Sequence, residues 1–209
     1  MKPLDNETIK AAQQSLSESD PVMKGLIERS APFALKHEGQ RSPFEALTRA
    51  IAAQQLHGNA AKAILGRFIE LVPGKLFPEP DDIKRLTDEQ IRAVGFSYGK
   101  VRTLRDLTDK VRQGVVPSSD EIGTLDDNAI IERITKVHGI GRWSVEMLLI
   151  FHLRRPDVLP VDDFGVRKGF MRAYGLSEMP KPKAVLSHGE KWRPFRTIAS
   201  WYLWQAASE

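Results

Sequence analysis

Two adjacent carboxylates, Asp162 and Asp163, stand at the predicted start of a basic helix. An aspartate at a helix start can simply cap the helix, because its side chain accepts hydrogen bonds from the first backbone N–H groups. The same carboxylate can instead stabilise positive charge that develops in a reacting substrate. For a lone aspartate the capping role is the more frequent one, so the surrounding sequence must decide between the two.

A second candidate for chemistry lies about twenty residues earlier, at Gly139-Ile140-Gly141. These glycines permit a tight hairpin between two predicted helices. Its backbone N–H groups and the start of the following helix can then face a phosphate. Two closely packed helices joined by a glycine turn would show the same pattern. The hairpin alone therefore leaves both interpretations open.

Helical signals surround both candidates, and alternating strand patterns are missing. Ser42, Thr87 and Ser118 each begin a capping pattern, with a glutamate or glutamine three residues further on. Apolar residues recur at three- and four-residue steps from Pro43 to about Val72, with a break near Gly58. Further helices are predicted at about 87–94, 100–114, 126–136, 142–153, 163–174 and 194–207. The predicted fold class is all-α.

The composition excludes several kinds of chemistry. The 209 residues contain no cysteine, which excludes disulfides, thiolate nucleophiles, iron-sulfur clusters and cysteine zinc sites. The five histidines are scattered, so we expect neither a metal site nor a cofactor. A formal net charge of +4 suits an anionic partner without requiring one.

No membrane or export signal is evident in the sequence. No segment approaches 18 consecutive apolar residues, and the N-terminus lacks the apolar core of an export signal. We therefore expect no membrane partner and a cytoplasmic location, associated with the nucleoid if the chain is bacterial.

Several segments together resemble the helix-hairpin-helix DNA glycosylase superfamily, and within it the alkylpurine (3-methyladenine) DNA glycosylases. The hairpin continues as Gly141-Arg142-Trp143, and the carboxylates lie in Leu159-Pro-Val-Asp-Asp-Phe-Gly-Val-Arg-Lys-Gly169. Pro43–His57 resembles the family's helix and wedge loop, and Trp192–Trp204 resembles its closing C-terminal helix. The resemblance covers roughly residues 40–207, in order.

The resemblance implies a single glycosylase unit over 1–209, with two helical lobes flanking a DNA-binding cleft. One lobe would comprise about 1–42 plus 164–209, and the other about 43–163, including the hairpin at 134–147. About forty residues before Pro43 cannot hold the β-rich N-terminal domain of larger members, so we expect the compact form. The four cysteines that end the iron-sulfur members are absent.

The implied activity is hydrolysis of the N-glycosidic bond of alkylated purines in duplex DNA, which leaves an abasic site for base excision repair. A purine alkylated at N3 or N7 already carries positive charge and leaves easily, so one carboxylate can suffice. Alignment of Phe164–Phe170 with the family's helix makes Asp163 the catalytic residue. Counting forward from Pro160 favours Asp162 instead.

Trp143 stands where bifunctional relatives place a Schiff-base lysine, so the resemblance implies no lyase activity and a place for Trp143 in the base pocket. A tryptophan one turn into a helix is also a common core residue. The C-terminal aromatic residues are expected in the core, with lining of the base pocket by one of them as the alternative: Trp192, Trp201, Tyr202 and Trp204.

The implied DNA contacts fall on two loops. At the helix break that begins with Gln54, Gln55 would fill the gap left by a flipped base, beside Leu56, and His57 would contact the minor groove. A helix C-terminus with local caps would look the same. Gly139, Gly141, Lys136 and Arg142 would bind phosphate. Three further basic residues are candidates to extend this phosphate-binding surface: Arg167, Lys168 and Arg172. Basic residues on an ordinary solvent-exposed helix face would give the same pattern.

The implied partner is double-stranded DNA containing alkylated bases, bound by a monomer. Two alternatives remain at this point, namely a glycosylase for another damaged or mismatched base and a non-catalytic helix-hairpin-helix DNA-binding module. A mere binding module needs no carboxylate beside a phosphate-binding loop, where it would repel DNA.

Overall fold

The computed structural model describes residues 4–35, 41–56 and 58–208, and within them the secondary structure is helical without a β-strand. This confirms the all-α fold class. The thirteen α-helices that it shows there are α1 Asn6–Ser19, α2 Pro21–Arg29, α3 Pro43–Ala53, α4 Gly58–Glu70, α5 Pro80–Arg85, α6 Asp88–Ala93, α7 Tyr98–Arg112, α8 Ser119–Ile122, α9 Asp127–Ile134, α10 Arg142–Met147, α11 Phe164–Ala173, α12 Pro182–His188 and α13 Arg196–Ser208. A π-helical turn, Leu148–His152, continues α10, and a 3-10 turn, Gly189–Trp192, follows α12.

Side-chain caps start the helices where the sequence predicted them. The hydroxyl of Ser42 accepts a hydrogen bond from the Glu45 N–H at 3.1 Å. Thr87 and Gln90 form a complete capping box, in which each side chain accepts from the other's backbone N–H. Caps of this kind depend on residues within a single turn, which is why the sequence locates them well.

Helices α1 and α2, in the first 42 residues, were not predicted from the sequence. Of the fourteen residues of α1, only Ala12 and Leu16 are buried, so its apolar periodicity is faint. Asp20 ends α1 and caps α2 at the same time, since its side chain accepts from the N–H groups of Val22 and Met23. No helix of the described residues is long and apolar enough to span a bilayer.

The chain divides into two compact units, one formed by Met1–His37 with Leu149–Glu209 and the other by Glu38–Leu148. The chain returns from the second unit to the first after Leu148, well before the expected position near Asp163. The reason is that residues 155–158 are tied to α13. Thr197 donates its hydroxyl to the Arg155 carbonyl at 2.6 Å and accepts from the Val158 N–H at 3.0 Å.

The first unit is organised around the close packing of α11 on α13. A Cβ atom on Gly169 would lie 1.8 Å from the Leu203 carbonyl oxygen, so only glycine permits this approach. Trp192, Trp201 and Tyr202 are buried in this core, as the sequence analysis expected. In the second unit the predicted apolar faces of α3 and α4 are also buried, including Leu47 and Phe68.

Candidate functional site

The Asp163 carboxylate is held by hydrogen bonds from a backbone N–H and from an indole N–H within the first unit. It is the N-cap of α11, and its Oδ1 accepts from the Val166 N–H at 2.8 Å. The same oxygen accepts from the Trp204 indole N–H, also at 2.8 Å. Asp162 is exposed, whereas Asp163 is half-buried. The capping role and an oriented carboxylate therefore coexist in one residue.

The Trp204 indole is itself fixed by its neighbours. Its ring stacks on Phe151 of the π-helical turn, with centroids 5.6 Å apart and planes 20° apart. A Cβ on Gly165 would lie 2.8 Å from the Trp204 ring and 3.1 Å from Asp163 Oδ1, so this glycine leaves room for their contact. Trp204 was predicted to be mainly a core aromatic residue, and its bond to Asp163 was not foreseen, although Gly165 beside the carboxylates was a possible signal.

The predicted glycine hairpin is present between α9 and α10 in the second unit. Gly139 has a φ of +78°, and a Cβ there would lie 2.4 Å from the Thr103 hydroxyl. Gly141 is in an extended conformation with open space around it. Within the described ranges, no residue accepts a hydrogen bond from the N–H of either glycine. These N–H groups are thus available to a phosphate.

The basic residues near the two candidates differ in how they are engaged. Lys136 forms an exposed ion pair with Glu132 at 3.7 Å, and the Arg142 Nε lies 2.9 Å from the buried Glu146 carboxylate. Arg167 and Arg172 donate to backbone carbonyls of the first unit. The latter two are therefore used in packing, while phosphate binding by Lys136 and Arg142 stays a prediction.

The wedge loop follows the C-terminus of α3. Gln55 is exposed and has a φ of +58°, a conformation that costs a non-glycine residue about 1 kcal/mol or more. Leu56 is 39% exposed, so its side chain is accessible. His57 lies outside the described residues. The Gln54 amide reaches the Gly139 carbonyl at 3.3 Å, so this helix end also contacts the hairpin, and the roles of Gln55 and Leu56 towards DNA stay predictions.

A cavity of about 670 Å³ opens beside this loop in the second unit. Trp143 and Met147 contribute to its lining together with the hairpin and the start of α7. Trp143 is 47% exposed, so the interpretation of this residue as plain core is wrong. Lys100 also lines the cavity; burial lowers the pKa of its ammonium group, which donates to the Ala52 carbonyl at 2.8 Å.

The second unit thus brings together the hairpin, the wedge loop and Trp143, and the first unit holds Asp163 with Trp204. In the part of the chain that the structure describes, no three His, Asp or Glu side chains lie close enough together to hold a metal ion.

The chain belongs to a family of DNA repair proteins, because residues 48–194 match the model of the HhH-GPD superfamily base excision DNA repair protein. This confirms the resemblance seen in the sequence. The chain is 43% identical to DNA-3-methyladenine glycosylase 1 of Schizosaccharomyces pombe, over 98% of this chain and 93% of that protein. It is also 31% identical to the alkylbase DNA glycosidase-like protein mag2 of the same yeast, over 94% and 92%.

Solved structures agree with this assignment. The 3-methyladenine DNA glycosylase Mag1 of Schizosaccharomyces pombe, in complex with abasic DNA, matches with a TM-score of 0.82 and 40% identity, over 93% of this chain and 95% of that one. A DNA-3-methyladenine glycosidase from Bacillus halodurans matches with a TM-score of 0.86 and 33% identity, over 99% and 93%. The helix-hairpin-helix DNA glycosylase fold is therefore confirmed.

Proposed function

We propose that this protein is a DNA glycosylase that hydrolyses the N-glycosidic bond of alkylated purines in duplex DNA, as a step of base excision repair. The observation that carries the proposal is the Asp163 carboxylate, held by the Val166 and Trp204 N–H groups at a helix start. The names of the similar proteins support the same substrate class.

The chemistry asks little more of the protein than an oriented negative charge. As the glycosidic bond breaks, the sugar gains positive charge, and the cationic alkylated base departs as a neutral molecule. Asp163 stabilises this charge and orients the attacking water. Its two hydrogen-bond donors preset the carboxylate, so little reorganisation is needed in the transition state.

Hydrolysis without strand cleavage follows from Trp143, which replaces the amine that lyase-type relatives need. The proposal also places Trp143 in the base pocket. It further includes an alkylated duplex as the substrate, a monomeric state and the cytoplasmic location expected from the sequence.

A glycosylase assay on a panel of damaged duplexes tests the proposal. Wild-type protein should release 3-methyladenine and 7-methylguanine, and Asp163→Asn should lower the rate of release at least about a hundredfold. Duplex binding by this variant should be unchanged or tighter, because a charge near phosphates is removed. Asp162→Asn is the matched control and should retain activity.

The outcomes separate the alternatives. If Asp162→Asn is the inactive variant, the catalytic carboxylate is Asp162 and not Asp163. If wild type releases only another damaged or mismatched base, the substrate class is wrong, and if it releases none, the chain is a binding module. The product strand should break only after alkali, and borohydride should trap no covalent complex. A trapped complex that disappears in Lys100→Met would identify an amine nucleophile.

A further inference from the structure

One face of α7 contacts the hairpin and the last turn of α3, which leads into the wedge loop. Lys100, Thr103 and Asp106 recur at three-residue steps and therefore share a face of this helix. Lys100 reaches the wedge side, because its ammonium donates to the Ala52 carbonyl at 2.8 Å near the end of α3. This bond secures the last turn before the wedge loop.

The other two residues of the α7 face hold the hairpin. Thr103 packs so closely against Gly139 that a Cβ there would collide with its hydroxyl. The Asp106 carboxylate accepts from the His138 N–H at 2.7 Å. The hairpin and the last turn of α3 before the wedge loop therefore pack against the same helix, and all of these contacts lie within the second unit.

Gln54 joins the two loops directly. Its side-chain amide donates to the Gly139 carbonyl at 3.3 Å, which spans 85 positions of the chain. Its backbone N–H remains bonded to the Ala50 carbonyl at the end of α3. The next residue, Gln55, is exposed and has the positive φ that turns the chain away from the helix. Two adjacent glutamines thus have different surroundings, one tied to the hairpin and one presented outward.

We propose that Gln54 is a positioning residue that couples phosphate binding at the hairpin to gap filling by Gln55. The inference rests on the proposed DNA glycosylase function. Because the Gly139 carbonyl is bound by the Gln54 amide, a hairpin seated on the DNA backbone holds the wedge loop at a set place. Gln54 acts through hydrogen-bond donation, whereas a gap-filling residue acts through bulk and stacking.

This difference yields a test with two variants of Gln54, one control variant and one reference variant. Gln54→Met keeps the length and bulk of the side chain and removes the donor, and Gln54→Lys keeps a donor of similar reach. Gln14→Met is the matched control, since Gln14 only bonds Glu18 on the surface of α1. The measured quantity is the ratio of affinities for an abasic and an intact duplex, with Gln55→Ala as the reference for lost gap filling.

Gln54→Met should lower this ratio roughly three- to tenfold, the effect of one lost hydrogen bond, and leave intact-duplex binding unchanged. Gln54→Lys should keep the wild-type ratio, because it retains a donor for the Gly139 carbonyl. Its added charge strengthens binding to both duplexes alike and therefore leaves the ratio unchanged. A merely structural role would lower the melting temperature and leave the ratio unmoved. If Gln54→Met fails to fold, Gln54→Glu provides a second variant without a donor.

Two results would overturn the inference: an unchanged ratio in Gln54→Met, or an equal loss in Gln54→Met and Gln54→Lys. Release of alkylated bases by wild type is measured in parallel. Its absence would refute the proposed glycosylase activity, whereas the affinity ratio would still report on the coupling.

Discussion

The environment of Asp163 depends on a residue far away in the chain. Trp204 lies 41 positions further on, yet its indole N–H provides a hydrogen bond that orients the carboxylate. Stacking on Phe151 fixes the plane of the indole, and Gly165 leaves the space for it. Trp204 therefore acts through Asp163, and its ring and its N–H have separable effects.

Trp204→Phe separates them, because phenylalanine can still stack on Phe151 but cannot donate. We expect the rate of base release to fall roughly three- to tenfold, with duplex affinity and melting temperature close to wild type. Single-turnover kinetics on an alkylated duplex measure this. Trp201→Phe is the matched control, since its indole N–H donates only to the Ala34 carbonyl. Equal losses in both variants would refute a role of Trp204 in orienting the carboxylate.

At the scale of the element, the hairpin uses its two glycines for different purposes. Gly139 has a positive φ and is in tight contact with Thr103, so it is needed for the hairpin to form. Gly141 has an ordinary extended conformation and open space, so the fold would tolerate a side chain there. Only the second glycine can therefore report on DNA contact without disturbing the hairpin.

Gly141→Val should fold normally and weaken binding to intact and abasic duplexes alike by roughly tenfold or more, because a side chain would block donation to phosphate. The dependence of affinity on salt should keep its slope, in contrast to Lys136→Met, which should reduce the slope by about 1. Binding isotherms at several salt concentrations measure both effects. Gly66→Ala adds a methyl group on an exposed position of α4 and should change nothing. Normal binding by Gly141→Val would mean that the hairpin has a structural role only.

At the scale of the whole molecule, a buried carboxylate ties together the first unit. Asp20 is 1% exposed, and its side chain accepts from the hydroxyl of Tyr174 and from the Trp192 indole at 3.0 Å. His188 and Lys191 lie 3.2 and 3.1 Å from the same oxygen. Burial alone would raise the pKa of Asp20, but these donors outweigh it and hold the pKa well below its usual range.

The protein should therefore lose stability in acid in two steps. Burial lowers the pKa of His188 below 6.5, so its contribution is complete above that value and is lost as pH falls towards the lowered pKa. The Asp20 pKa is also lowered, so its contribution is present above about pH 4 and is lost as pH falls further. Urea unfolding between pH 7 and pH 2 measures the first step and the decline that marks the second.

Asp20→Asn isolates the carboxylate. It should unfold with about 3 kcal/mol less free energy at pH 7 and should lack the step below pH 4, because its donors would face a neutral amide. Asp81→Asn, which removes only an exposed ion pair with Arg112, is the control. A step below pH 4 that persists in Asp20→Asn would assign the acid sensitivity to other carboxylates.

Local patterns in the sequence determined much of this protein. The fold class, the caps at Ser42 and Thr87, the glycine hairpin and the helix that begins after Asp163 all depend on residues within a turn or two of each other. Their physical causes, namely hydrogen bonds to free N–H groups and apolar periodicity, are visible in short segments. Helix α1 shows the limit of prediction from local patterns, since it buries only two apolar residues and its periodicity is therefore faint.

The tertiary structure decided what these local elements do together. The Trp204 bond to Asp163 and the Gln54 bond to Gly139 join segments 41 and 85 positions apart. The place where the chain passes between its two units depends likewise on Thr197 meeting residues 155–158. The exposure of Trp143 depends on which surfaces the other helices cover. Such contacts form only when the chain packs, so spacing along the sequence carries no signal for them.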